Sequence, residues 1–430
     1  MGIGSKTEKN FNMNAREAAL NALCEVDQGT NLKVALGLIF ERDELSDDDR
    51  ALANEIAFGT LRHREEIDQI IKETFIGDFN AADSILKNIL RLAVYQYLFL
   101  DRIPVYAVVN EAVNLGRSVK EKSLINAVLR GVIRNKKVQS MREPQVWVLR
   151  KILEAYPVEG EKIIESFKNR PTPYIRINRL KAKPEMIEEK LKEMGIEYRP
   201  ANWLEDFRKI NRLGVLINNS LLKQGFISIH DEAQGMICKL LDPKPGERIV
   251  DVCSAPGSKT TYIAELMNNQ GIIIASEVSS ARLQLVVENA ERLGLSIIQY
   301  ILADGRRYHI KDFDKVLVDA PCTNSGVIAK RPEVKERVNK KVLARLSNLQ
   351  FNLLSNAASF LRVGGSIVYS TCSILPRENE ELIEKFLNEN KNFELEPAKE
   401  FIPSADSYLK ILPGFYNTDG VFAARLKRIK

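Results

Sequence analysis

The 430-residue chain reads as a multidomain protein: an all-α N-terminal region, a small α+β module and a C-terminal α/β domain with a doubly wound sheet. Three observations predict this. Up to about residue 140, apolar residues recur at helical spacing and no strand-like run appears. From Asp231 onward, short β-branched strands alternate with amphipathic helices, the pattern of a largely parallel sheet. The stretch between is mixed, and the length prior of roughly three domains agrees. The divisions fall at residues 1–143, 144–229 and 230–430.

In the first region Ser46 opens the clearest helix, with Asp47, Asp48 and Asp49 in its first turn, where carboxylates favour the positive end of the helix dipole. Leu52, Ile56, Ala57 and Leu61 continue its apolar face. Further helices follow over 84–100, 105–118 and 123–135, the second opened by Pro104 after a turn at Asp101 and Arg102. No glycine-rich loop or acidic cluster interrupts them, so the region reads as non-catalytic. Between Gly116 and Glu143, Arg117, Lys120, Lys122, Arg130, Arg134, Lys136, Lys137 and Arg142 face a single acid, Glu121. Two readings stand: a solvated helix face with a charged linker, or a patch that contacts phosphates.

In the middle segment, residues 173–180 and 226–231 read as strands, and 184–195 as a helix ended by Gly195. Its motifs are not specific. Composition bounds the class of protein. Apolar content of 45% and charged content of 28% suit a globular chain without a membrane span, and the polar opening lacks a signal-peptide core. The expected location is the cytoplasm. Five dispersed cysteines without a CxxC pair argue against a disulfide framework and a zinc site. His63, His230 and His309 lie far from the key cysteines in sequence, so no metal is expected. The net charge of +6 is compatible with nucleic acid but does not establish it.

The α/β region carries the chemistry. Its strands are expected at 247–253, 271–277, 297–304, 315–320 and 365–371. In such a sheet, ligands bind at the carboxyl ends of the strands. The first strand runs through Asp251 into Cys253, Ser254, Ala255, Pro256, Gly257, Ser258 and Lys259, and a helix then starts. This turn is neither a phosphate loop nor the three-glycine dinucleotide fingerprint. Glu277 ends the second strand, within reach of ribose hydroxyls, and Asp304 ends the third, near an adenine edge. Taken singly, each acid reads as a solvated loop cap. In this order they suit an adenosine ligand without pyrophosphate, such as S-adenosylmethionine.

Cys322 and Cys372 leave two further strands on the same edge. A lone cysteine there would read as a small core residue. Two thiols on a ligand edge suit covalent attack on an electron-poor carbon. Cytosine C5 is a poor nucleophile until a thiolate adds to C6, after which C5 can take a methyl group. A base then removes the C5 proton and the thiol is eliminated. Asp319 is placed to bridge cofactor and base.

Asp319-Ala-Pro-Cys322, Ser370-Thr-Cys-Ser373 with Pro376-Arg-Glu-Asn-Glu380, and Ser254-Ala-Pro-Gly-Ser-Lys-Thr260 resemble the Nop/Sun family of RNA 5-methylcytosine methyltransferases. Residues 13–140 resemble the NusB-type RNA-binding domain, through Ala15-Arg16, Asp49-Arg50-Ala-Leu-Ala53, Gly59-Thr-Leu-Arg62 and Asn126-Ala-Val-Leu-Arg130. The combination is similar to the bacterial Sun/Fmu branch, which acts on cytosine C5 of 16S ribosomal RNA, with the 967-type site as expected target.

The resemblance implies a NusB-like domain, an RRM/ferredoxin-like module and a Rossmann-like class I methyltransferase domain. It implies RNA, within a small-subunit precursor, as partner. It makes Cys372 the nucleophile and Cys322 the residue of product release, with Asp319 near the methyl-donor end. Cys253 to Lys259, Glu277 and Asp304 would hold the cofactor. Ser258 departs from the usual second glycine, Glu277 from the commoner aspartate, His230 from glutamine, and Ala329-Lys330 from a basic pair. A tRNA methyltransferase and a non-catalytic RNA-binding assembly factor are the alternatives.

Overall fold

The computed structural model describes residues 13–135, 144–402 and 404–430, so Lys136, Lys137, Arg142 and the 143/144 division lie outside the described residues. The chain forms two compact units. One comprises residues up to Arg150 with Arg331–Arg337; the other comprises Lys151–Lys330 and Val338–Lys430.

The first unit is helical, with helices Ala15–Asp27, Leu32–Arg42, Asp47–Arg62, Arg64–Lys72, Ser84–Phe99, Val105–Asn114 and Val119–Asn135. Side-chain oxygens of Asn14, Ser46 and Asp83 cap three of them at the amino end. Helix Ser84–Phe99 runs through the centre and buries Ile89, Leu90, Leu92, Ala93 and Val94. Gly59 lets a neighbour come close: a Cβ there would collide with the ring of Tyr95, whose hydroxyl donates to Glu55 at 2.7 Å. Pro104 is the cap before Val105. In the basic stretch, Arg117 is spent on Asp83 at 2.8 Å and Glu121 at 2.7 Å. Arg331–Arg337 joins this unit through Asn31, which donates to Glu333, and Lys335, which donates to the Arg62 carbonyl at 3.0 Å.

The second unit holds two sheets. The smaller is antiparallel in the order β2-β3-β1-β4, with β1 Tyr174–Ile177, β2 Tyr198–Pro200, β3 Phe207–Ile210 and β4 Ile227–Ile229. Helix Pro184–Glu193 packs Ile187 and Leu191 into its core, and Gly195 follows at φ +64°. The larger sheet has eight strands: β5 Arg248–Val252, β6 Ile272–Glu277, β7 Ile298–Leu302, β8 Phe313–Asp319, β9 Leu361–Thr371, β10 Phe393–Glu396, β11 Leu409–Ile411 and β12 Val421–Arg428. Its order is β10-β12-β9-β8-β5-β6-β7, with β11 also on β12. Strands β5 to β9 are mutually parallel, whereas β12 runs antiparallel to β9. Strand β5 is buried from Ile249 to Val252, and β8 from Lys315 to Val318.

One buried cation ties the two sheets together. Arg176 of β1 is fully buried and donates to Glu265 at 2.8 Å, to the Ser258 carbonyl at 2.9 Å and to Nδ1 of His230 at 2.8 Å. Breaking a buried pair leaves an uncompensated charge, at a cost of about 3–5 kcal/mol. Arg176→Ala is therefore expected to lower unfolding free energy by about that amount in urea denaturation followed by circular dichroism. A loss of about 1 kcal/mol or less, the value of an exposed pair, would show that the arginine carries no such burden.

Candidate active site

The chain leaves β5 towards β6 and β7, then returns to place β8 on the other side of β5. That reversal opens a crevice at the carboxyl ends of β5 and β8, where ligands bind in sheets of this kind. Its floor is the turn after β5. Cys253 adopts φ +65° and Gly257 φ +101°. Such angles are unusual for a non-glycine residue and mark a turn held by its surroundings. At Gly257 a Cβ would also press on the Val286 backbone at 3.1 Å. The turn is pinned from outside. Ser254 N–H donates to the Ser276 carbonyl, Arg282 to the Ala255 carbonyl at 3.1 Å, and Asn289 to the Pro256 carbonyl at 2.9 Å. Ser258 then starts the helix Ser258–Leu266.

Lys259, one residue into that helix, reaches across to Asp319 at the end of β8, 2.7 Å from Oδ2. Burial opposes its positive charge, yet the adjacent Asp319 carboxylate outweighs burial and raises the lysine pKa. Oδ1 of Asp319 accepts from the Ser370 hydroxyl at 2.9 Å. Asp251, beneath the turn, is fully buried and its carboxyl is pushed up to about 7 by burial, although the Thr260 hydroxyl donates to it at 2.5 Å. Burial and the nearby Glu277 also raise the Cys253 thiol.

Glu277 ends β6, 2% exposed. Its Oε1 accepts from Val278 N–H, while Oε2 is buried without a hydrogen-bond partner, 3.5 Å from Arg282. An orphaned buried carboxylate oxygen fits a ligand that donates hydroxyls. Asp304 is placed differently. It lies two residues beyond β7, paired with Arg306 at 2.5 Å, and this bond holds its pKa at about 2.

The two thiols meet. Asp319 is in register with Ser370, so the turns after β8 and β9 leave the sheet side by side. Cys322 Sγ and Cys372 Sγ are 3.2 Å apart, and the Cys372 thiol donates to Asn324 Oδ1 at 3.0 Å. The Asn324 amide in turn donates to the Cys322 carbonyl at 3.1 Å, which fixes which way the amide faces. Its contact with Cys372, together with burial, drives the Cys322 thiol pKa well up.

Asn324, Ser370, Arg282 and Asn289 were not visible as site residues in the sequence. Asn324 does follow Cys322 by two residues at φ +61°, a conformation asparagine tolerates well. His230 is buried against Arg176, and Lys330 is committed to Asp231 at 2.6 Å and Asp419 at 2.9 Å, so both departures in sequence serve internal contacts.

The switch-point crevice thus brings together a pinned glycine turn, an acid at the second strand end and a thiol pair across from it. Residues 238–427 match the family described as 16S rRNA methyltransferase RsmB/F, 13–134 the NusB family, and 144–212 the ferredoxin-like domain of RsmF/B-like methyltransferases. The ribosomal RNA small subunit methyltransferase B of Serratia proteamaculans is 33% identical over 96% of this chain and 99% of its own. That of Pseudomonas syringae is 33% identical over 87% of each chain. The crystal structure of PH0851 superposes with a TM-score of 0.80 at 28% identity, covering 96% of this chain and 98% of that one. The chain belongs to the ribosomal RNA small subunit methyltransferase B family.

The raised Asp251 carboxyl has a consequence for stability. Its folded pKa of about 7 exceeds the unfolded value, so the fold binds this proton more tightly than the open chain does. That contribution is fully present below about pH 4 and is lost as pH rises towards about 7. Asp251→Asn is expected to flatten the fall in unfolding free energy across that range. An unchanged slope in denaturation series would place the titration elsewhere.

Proposed function

We infer that the protein methylates C5 of a cytosine in 16S ribosomal RNA, with S-adenosylmethionine as methyl donor and a covalent Cys372–C6 bond as intermediate. One observation carries the reading: two thiols in contact at the carboxyl edge of adjacent strands, beside the Lys259–Asp319 pair. S-adenosylmethionine supplies an electrophilic methyl group on a sulfonium. The turn Cys253 to Lys259 and Glu277 would hold it, with Asp304 at the outer end of the same edge.

The remaining work falls to the protein. Cys372 gives its proton to solvent and the thiolate adds to C6; the electrons pushed onto C5 form the new C5–methyl bond, and the sulfonium sulfur keeps the pair of the bond it loses. Cys322 S–H, 3.2 Å away, stabilises that thiolate before attack. Asp319 is anchored by Lys259 and Ser370, which keeps the carboxylate at the meeting point of cofactor turn and thiol turn. In release, solvent water takes the C5 proton, the C5–C6 double bond reforms, and the C6–S bonding pair returns to the Cys372 sulfur as a thiolate. Cys322 serves this step. The helical domain (1–143) and the module (144–229) are assigned to RNA contact, and 230–430 to chemistry. Curated relatives named for small-subunit ribosomal RNA favour this substrate over tRNA.

Labelled S-adenosylmethionine incubated with unmodified 16S RNA is expected to leave its label in 5-methylcytosine on nucleoside analysis. Label in another nucleoside, or in tRNA alone, would overturn the assignment. Cys372→Ala is expected to reduce turnover about a thousandfold or more while cofactor affinity stays the same. Cys322→Ala is expected to accumulate a protein–RNA adduct that survives denaturing gels. Full activity in the first variant, or no adduct in the second, would contradict the respective roles.

A further inference from the structure

Immediately beyond the Cys372 turn, Glu378 and Asn379 are fully buried neighbours. Each grips the residues that flank one cysteine. Glu378 Oε1 accepts from Thr323 N–H at 2.9 Å and from the Gln350 amide at 2.8 Å, and Oε2 accepts from the Thr323 hydroxyl at 2.5 Å. The same Gln350 amide donates to the Pro321 carbonyl at 2.9 Å. Residues 321 and 323, on either side of Cys322, are thus anchored through Glu378.

Asn379 acts on the other turn. Its Oδ1 accepts from the Thr371 hydroxyl at 2.7 Å, and its Nδ2 donates to the Ser373 carbonyl at 2.9 Å. Residues 371 and 373 flank Cys372. The two grips share one rung, Thr323 Oγ1 to Ser373 Oγ at 3.2 Å. A carboxylate and an amide buried this deeply are costly unless every bond is made, and here the bonds converge on two short turns.

We propose that Glu378 and Asn379 are the positioning residues of the two-thiol centre, Glu378 setting Cys322 for release and Asn379 setting Cys372 for attack. This assignment rests on the roles given above to the two cysteines. Adjacent residues on one turn thereby govern opposite halves of the reaction, because their side chains serve different strand ends. Burial disfavours the charge on Glu378, and donors from Ser373, Thr323 and Gln350 work against that penalty.

The test compares Glu378→Gln and Asn379→Ala with the milder deletions Thr323→Val and Thr371→Val, each in the full chain. S-adenosylmethionine affinity, single-turnover methyl transfer to unmodified 16S RNA and the covalent band on denaturing gels are measured together, with Cys322→Ala alongside. Glu378→Gln and Thr323→Val are expected to slow transfer by about tenfold, as for one lost hydrogen bond to a charged group, and to accumulate the covalent band. Asn379→Ala and Thr371→Val are expected to slow transfer comparably with no such band. Cofactor affinity is expected to stay unchanged in all four. Identical behaviour of the two pairs, or wild-type rates in the valine variants, overturns the proposal. If Glu378→Gln or Asn379→Ala fails to fold, the valine variants decide. If Cys322→Ala also shows no band, the reading of the cysteines fails, a result distinct from failure of the two positioning roles.

Discussion

The parallel pairing of β8 with β9, Asp319 opposite Ser370, sets the geometry on which the rest of this centre depends. Cys322 lies three residues past the end of β8, and Cys372 immediately follows β9. Neither turn is long, so the strand register brings the two turns side by side, with the sulfurs 3.2 Å apart. A slip of one residue would turn a strand's alternate side chains to the opposite face and carry Asp319 or Ser370 out of reach of the other. The apolar interior of β8 and β9 resists such a slip, since Val316, Leu317, Val318, Ile367, Val368 and Tyr369 are all buried. Packing in the middle of the sheet is thus what holds chemistry at its edge.

The cofactor turn is attached to this frame by charge. Lys259 and Asp319 bridge the turn after β5 and the end of β8 across the switch point. Behind Lys259, the Ser258 carbonyl accepts from Arg176, which is itself locked to Glu265 and His230. The ferredoxin-like module therefore bears directly on the helix that begins at the cofactor turn. Buried ion pairs of this kind contribute little net stability over apolar replacements, although breaking one leaves a buried charge uncompensated.

Much of this was legible before the structure. Strand-end chemistry could be read because short apolar runs followed by polar turns are strongly patterned, as at Val316–Asp319 and Ile367–Thr371. The helices Asp47–Arg62 and Ser84–Phe99 announce themselves by cap and period. The antiparallel extension was not read. β12 contains Ala423, Ala424, Arg425, Leu426 and Lys427, good helix formers, and becomes a strand because β9, β10 and β11 pair with it. Arg425 looks like a surface cation in sequence, yet it is buried and paired with Glu396 at 2.7 Å. Nor could periodicity reveal that Arg331–Arg337 belongs with the helical unit. Spacing placed both cysteines on one edge; only coordinates bring their sulfurs into contact and show Asn324 on Cys372. Glu378 and Asn379 were visible as part of a motif, but the bonds of Glu378 to Thr323, 55 positions away in the chain, were not.

The account turns on which sulfur bonds to the base. RNA carrying 5-fluorocytosine at the target position offers the most direct measurement, because fluorine replaces the proton that must leave C5 and stalls the enzyme after methyl transfer. Digestion of the stalled complex and mass spectrometry of the linked peptide is predicted to find the nucleotide on Cys372. A nucleotide on Cys322, or on neither cysteine, would contradict the account.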